Sequence, residues 1–292
     1  MPKENIAFIT DSGSDMPQEI IDKYDIRVLP LNIIYGNDEE YLDKISITEE
    51  EVYQRLERDI PKTSLPKPEY IVQVFDELIK EGYQKVVVST ISSGLSGTFN
   101  SIKIVAKDYP DLDILFVDTL NIGVGSGVVL ARLLELFEDG ASFQDLKAAA
   151  PIIIDNSTVF FTIPTLKYLE AGGRIGKVQS LVGNLMNLNP VISCNEDGIY
   201  YTIAKARGRR RSVARLKKEI KDIAKDHIVN LGISFGQNSI KSEAKVLRED
   251  LMSQLNVNNV YFTRVSPALG IHSGPDIIGA VVQILEDKVN QK

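Results

Sequence analysis

The sequence predicts an α/β protein built from two α/β domains with mainly parallel sheets, and three observations carry that expectation. Short apolar runs alternate with helical patterns from the first residues, in NIAFITDS, PQEIIDKYD, IRVLPLNIIY, KVVVSTI and DILFVDT. The strand-like runs are apolar without polar alternation, as in parallel strands covered on both faces. The texture then changes near residue 155, which divides the chain into an N-terminal domain, 1–155, and a C-terminal domain, 156–292.

The elements follow in order. In the first half, Ser46-Ile47-Thr48-Glu49-Glu50-Glu51 has the pattern of a capped helix start, while PEYIVQVFDELIKEG and GTFNSIKIVAKDY read as helices. A small-residue segment, NIGVGSGVVLARLLELFEDG, precedes a helix through FQDLKAAAPIII. The second half opens with TVFFTIPTLKYLEAGGRIGK. In NPVISCNEDGIYYTIAKA, Glu196-Asp197-Gly198 between two β-rich runs marks a hairpin turn. A long basic helix, the strand HIVNLGISFG, a helix through KSEAKVLREDLMSQL, the strand NVYFTRVSP and a closing helix after HSGPD complete the chain. In such folds ligands sit at the carboxyl ends of strands or between domains.

Composition excludes several function classes. With 43% hydrophobic and 25% charged residues the chain reads as a globular protein of a reducing compartment, and a cytoplasmic location is expected. The start, MPKENIAFITDSGSD, shows no signal-peptide core, and no apolar run reaches the roughly 18 residues of a spanning helix, so stable membrane insertion is not expected. One cysteine, Cys194, allows no intramolecular disulfide, and His227 and His272 are too few for an imidazole-rich metal cluster. A net charge of -7 argues against nucleic acid as a partner.

Four segments have the residue types that chemistry needs. Ser92-Ser93-Gly94-Leu95-Ser96-Gly97-Thr98 follows a buried strand and opens a helix, where free N–H groups, the helix dipole and several hydroxyls suit a carboxylate or phosphate. The plain alternative is an N-cap and turn. Enzyme readings of the glycines fail on spacing. The nucleophile elbow G-x-S-x-G has its last glycine misplaced at Gly97. Gly172-Gly173-Arg174-Ile175-Gly176-Lys177 lacks the first glycine and the terminal hydroxyl of a P-loop, and Gly123-Val124-Gly125-Ser126-Gly127-Val128 misses a dinucleotide fingerprint. These glycines are expected at close-packing positions. Thr63-Ser64-Leu65-Pro66-Lys67-Pro68 is a proline-stiffened loop able to present a hydroxyl, and His272 sits in a turn from which its ring can reach a headgroup. Lys205, Arg207, Arg209, Arg210, Arg211, Arg215, Lys217 and Lys218 form one basic run, either a solvated face or a dock for an acidic partner.

Six segments in one order, TDSGSD (10–15), TSLPKP (63–68), SSGLSGT (92–98), YLEAGGRIGK (168–177), KARGRRR (205–211) and IHSGP (271–275), resemble the DegV family nearly end to end. Fatty-acid-carrying members of that family are the binding subunits of bacterial fatty acid kinase. The resemblance implies a tunnel between two α/β domains for a long-chain fatty acid, with no cofactor and no catalysis by this chain itself. It implies that Thr63, Ser93 and the Gly94 backbone, with Ser92, Ser64 or Ser96, hold the carboxylate and that His272 joins the network. Arg174, Arg207 and Arg209 are then expected at the face shown to a separate kinase subunit, which makes acyl-phosphate for phospholipid synthesis. The chain departs from the common family pattern at Gly274-Pro275-Asp276 and at Asn189-Pro190. A second reading, from the residues alone, is a serine-dependent acyl or phospho-ester hydrolase using Ser93 or Ser96 with His272.

Overall fold

The computed structural model describes residues 4–36, 38–181 and 188–285. The chain begins with β1 (Ile6–Asp11), a 3-10 turn at Ser12–Ser14, α1 (Gln18–Tyr24) and β2 (Arg27–Leu29). Pro30 has no N–H to continue a ladder, and the apolar run that contains it splits there. A small antiparallel sheet follows, with β3 (Asn32–Tyr35), β4 (Glu39–Leu42) and, after α2 (Glu49–Arg55), β5 (Lys62–Ser64) on the far side of β3. Thr48 and Glu51 close a capping box on α2, as its sequence pattern demands.

After α3 (Pro68–Lys80) come β6 (Lys85–Thr90), α4 (Thr98–Val105), β7 (Asp113–Asp118), α5 (Val124–Glu138) and α6 (Phe143–Asp155). β1, β2, β6 and β7 form an all-parallel sheet in the order β2-β1-β6-β7. Alternate residues of β1 serve two cores. Ala7 and Ile9 pack with Phe75 of α3 and Ile102 of α4, while Ile6 and Phe8 pack with Leu130 of α5 and Leu146 of α6. Two-sided burial is the reason these strands are apolar throughout.

The second large sheet is assembled from β8 (Ser157–Thr162), β9 (Leu188–Cys194), β10 (Tyr200–Arg207), β11 (Ile228–Phe235), β12 (Asn256–Arg264) and β13 (Ile278–Ile284). Its order is β10-β9-β8-β13-β11-β12, with α7 (Lys167–Ala171), α8 (Arg209–Ala224), α9 (Lys241–Met252) and α10 (Pro267–Ser273) in the connections. Here the expectation of a mainly parallel sheet is corrected, since only β11 and β12 pair in parallel and the other neighbours are antiparallel. The α/β class stands. The physical reason for the difference is that uninterrupted apolarity reports cover on both faces, not strand direction. Phe160 and Ile233 pack under α8 and α9, whereas Val159 and Val281 meet α5 on the opposite face.

The expected closing helix is also corrected. Residues 278–284 are β13, buried between β8 and β11 at the centre of the sheet, and residues 286–292 lie outside the described residues. The hairpin turn at Glu196-Asp197-Gly198 does join two antiparallel strands. The glycines of α5 are close-packing positions: a Cβ on Gly125 would stand 2.8 Å from that of Val159, and one on Gly127 2.6 Å from the Ser14 carbonyl oxygen. They bring α5 down between the β1 turn and the face of the second sheet.

Candidate ligand-binding site

In the parallel sheet β1 and β6 are neighbours whose chains leave in opposite directions, to β2 and to β7, so a crevice opens at their carboxyl ends. A cavity of about 840 Å³, open mouth included, begins there and runs between the β5 edge, α10 and the face of the second sheet. Its walls are largely aliphatic and aromatic, with Leu31, Ile122, Val124, Val159, Phe161, Leu169, Val265 and Ile277 among them.

Polar groups meet at one part of this wall. β5 is held to β3 in register Ile33↔Thr63, which aims Thr63 across at α10, and Thr63 Oγ1 lies 2.7 Å from His272 Nε2. Ser64, Ser96 and Arg174 line the same cavity, and Arg174 Nη1 donates to the Gly172 carbonyl at 2.7 Å. Burial, seconded by the Arg174 charge, pushes the His272 imidazole down to about 4, so the ring is neutral near pH 7. Its Nδ1 is buried without a partner among the described residues. An N–H there would be an unmet buried donor, so the favoured tautomer carries its proton on Nε2 and donates it to Thr63. The Thr63 hydroxyl hydrogen is then free to point into the cavity. The Thr63 hydroxyl, oriented by the neutral imidazole, and the Arg174 guanidinium together make a donor set for an anion at the edge of an apolar space.

The expected headgroup residues divide into two groups. Thr63, Ser64, Ser96 and His272 line the cavity together. Ser92 does not serve it: its hydroxyl is fully buried, donates to the Gly198 carbonyl at 2.9 Å and accepts the Gly94 N–H at 3.0 Å. That N–H, expected to hold a carboxylate, is thereby spent within the chain. The cause is the β9–β10 hairpin, whose turn closes over this loop so tightly that a Cβ on Gly94 would meet the Asp197 carbonyl oxygen at 2.4 Å. Ser93 gives its N–H to Asp118 at 3.0 Å and keeps a half-buried side chain that makes no hydrogen bond among the described residues.

Arg174, expected at a docking face, belongs to the cavity wall. Arg209 is tied into the fold by Glu243 and the Asp276 carbonyl, both at 2.6 Å, while Arg207 is exposed. Sequence reasoning missed Asp15 and Tyr200 in the wall. Asp15 ends the TDSGSD segment, and a carboxylate repeated so soon after Asp11 in an apolar setting was the signal available.

The model of the uncharacterised DegV family matches residues 5–284. The chain belongs to the DegV family. A DegV domain-containing protein of Clostridium acetobutylicum is 37% identical, over 96% of this chain and 99% of its own length. Another from Clostridium perfringens is 38% identical over 96% and 99%. Among solved structures, a DegV family protein from Thermus thermophilus described by its fatty acid binding superposes with a TM-score of 0.88 at 30% identity, covering 96% of this chain and 99% of that one. A stearic acid-binding protein from Eubacterium ventriosum gives a TM-score of 0.86 at 28% identity, covering 96% and 98%. In this chain the cavity described above lies between the carboxyl ends of the parallel sheet and the face of the second sheet. Among the described residues no helix is long and apolar enough to cross a membrane, and no group of three or more His, Cys, Asp or Glu is arranged to hold a metal ion.

Proposed function

We propose that this protein carries a long-chain fatty acid and presents its carboxylate to a separate kinase subunit, which forms acyl-phosphate for phospholipid synthesis. The observation that carries the reading is an apolar cavity with Thr63, His272 and Arg174 gathered at its wall. Burial of each methylene contributes about 0.8 kcal/mol, so a long tail supplies on the order of 10 kcal/mol before ordering costs. Each hydrogen bond to the charged headgroup adds about 1.5–3 kcal/mol and sets orientation. Fatty acid binding by the Thermus and Eubacterium relatives supports the ligand class.

The chemistry asked of the partner is attack of a carboxylate oxygen on the γ-phosphorus of ATP, with the bond to ADP breaking. This chain's part is to hold that oxygen in place. The basic segment supports a docking role, because Arg209 joins the start of α8 to the loop that follows His272, leaving Arg207, Arg210 and Arg211 exposed nearby. Two α/β domains divided near residue 155 and a cytoplasmic location complete the reading. The hydrolase alternative needs a serine on the histidine, whereas His272 Nε2 is bonded to Thr63 and Nδ1 to nothing among the described residues.

Native mass spectrometry of the purified protein, followed by lipid extraction, tests the carrier reading. A bound or acquired long-chain acyl species is expected. A protein that arrives empty and takes up none when offered a series of fatty acids would sink it.

A further inference from the structure

Resting on the fatty-acid reading of the cavity, we propose that Asp15 and Asp43 are positioning residues of the ligand site, which act by holding the first turn of the helix that carries His272. That helix, α10, contributes Ala268, Leu269, His272 and Ser273 to the cavity wall. With seven residues it is too short to stand by its own hydrogen bonds. It lies in the second half of the chain, yet its anchors come from the first half. Asp15 Oδ1 accepts the Ser266 N–H and Asp43 Oδ1 accepts the Ala268 N–H, each at 2.9 Å. Pro267 brings no N–H, and Ser266 Oγ takes that of Leu269 at 3.4 Å. The donors at the start of the helix are thus satisfied, and its far end is met by Thr63.

The two carboxylates are themselves located. Asp43 Oδ2 accepts the Ser12 hydroxyl at 2.6 Å, and Ser12 Oγ accepts the Leu31 N–H at 3.0 Å. Both carboxylates are 1% exposed. Leaving such groups in a dry interior is costly unless they are bonded, so their presence calls for a task that an apolar side chain cannot perform. The surrounding charged and titratable groups are Lys44, 3.6 Å from Asp15, Glu49 and Tyr53 on α2, and Asp11, whose own oxygens take the Gly13 and Ile91 N–H groups. Asp15 Oδ2 has no hydrogen-bond partner among the described residues, which leaves it room for a proton while Oδ1 keeps the Ser266 bond. An asparagine can therefore do the work of Asp15, and an alanine cannot.

Residue-resolved amide exchange, with paired affinities for palmitate and methyl palmitate, tests this. In the wild type the Ser266 and Ala268 amides should be protected to the degree of the β1 amides. Asp15→Ala and Asp43→Ala should lose that protection at 266–273 while β1 keeps its own, and should lower the preference for acid over ester by about tenfold. Asp15→Asn should restore both. Freely exchanging Ser266 and Ala268 amides in the wild type overturn the proposal, as do alanine variants with unchanged protection and preference, or an asparagine variant as impaired as the alanine. If the alanine variants do not fold, the wild-type exchange and Asp15→Asn decide it. A wild type that binds no palmitate defeats the carrier reading instead, and the exchange pattern still judges the clamp.

Discussion

Between Thr63 and His272 one hydrogen bond assigns the donors of the site. If Nε2 donates to Thr63, the threonine hydroxyl is the group left for the ligand anion, and the histidine acts through it. Thr63→Val should then cost about 1.5–3 kcal/mol in binding a fatty acid anion and far less for its methyl ester. Paired dissociation constants check this, and equal losses for acid and ester would assign Thr63 to the cavity's shape instead. Gly172 makes a sharper case. A Cβ there would lie 1.9 Å from His272 Nδ1, so Gly172→Ala has to push the ring or the α7 terminus aside. Its acid affinity should fall at least as far as that of His272→Ala, although the substitution removes no polar group.

At the scale of elements, α8 shows how one basic run serves two purposes. Arg209 pairs with Glu243 and the Asp276 carbonyl, and Lys217 pairs with Asp250, so part of the run binds α8 to α9 and to the loop before β13. Arg210 and Arg211 are exposed. Reversing Arg209 to Glu should lower stability by about 1–2 kcal/mol, because it sets like charges together where a partly buried pair stood. Arg210→Glu with Arg211→Glu should leave the melting temperature and fatty acid affinity nearly unchanged while slowing encounter with an acidic partner. Thermal melts of the two variants, side by side, separate these roles. A double reversal that abolished fatty acid uptake in a folded protein would place the patch at the cavity.

Across the whole molecule, buried ionisable groups set how stability follows pH. Burial raises Asp11 and Asp15 to about 7 and raises Asp43. A carboxyl with a raised folded-state value binds its proton more tightly folded than unfolded. Its contribution is therefore fully present below the ordinary carboxyl value of 3.8 and is lost progressively as pH rises from there through about 7. His272, lowered to about 4, works the other way, and its contribution is lost as pH falls below the ordinary histidine value of 6.5. With at least two carboxyls opposing one imidazole over the same range, stability is predicted to fall as pH rises from about 4 to about 7. Melting temperatures should fall between pH 4.5 and 7.5, and Asp15→Asn should reduce that fall. His272→Gln, which removes the opposing trend, should steepen that fall between pH 4.5 and 6.5. Parallel curves for wild type and both variants would show that neither group titrates as its burial requires.

The sequence by itself determined the α/β class, the position of most helices and strands and the hairpin at Glu196-Asp197-Gly198, and it singled out Thr63, Ser96 and His272, which line one cavity. These were legible because periodicity, caps and turn residues are local, and because the family motifs recur in a fixed order. Only the tertiary structure decided the antiparallel course of the second sheet, since a run such as IIGAVVQI buries the same side chains whichever way its neighbours point. It also turned Ser92 and the Gly94 N–H inward to the chain, placed Arg174 in the cavity wall, and set Asp15 and Asp43 against α10. Each of those outcomes depends on which partner arrives from more than a hundred residues away or on which face a neighbour covers, as with Ser92 and Gly198 at a separation of 106 and Asp15 and Ser266 at 251. Local patterns show that a polar group is present; long-range packing decides where its hydrogen bond goes.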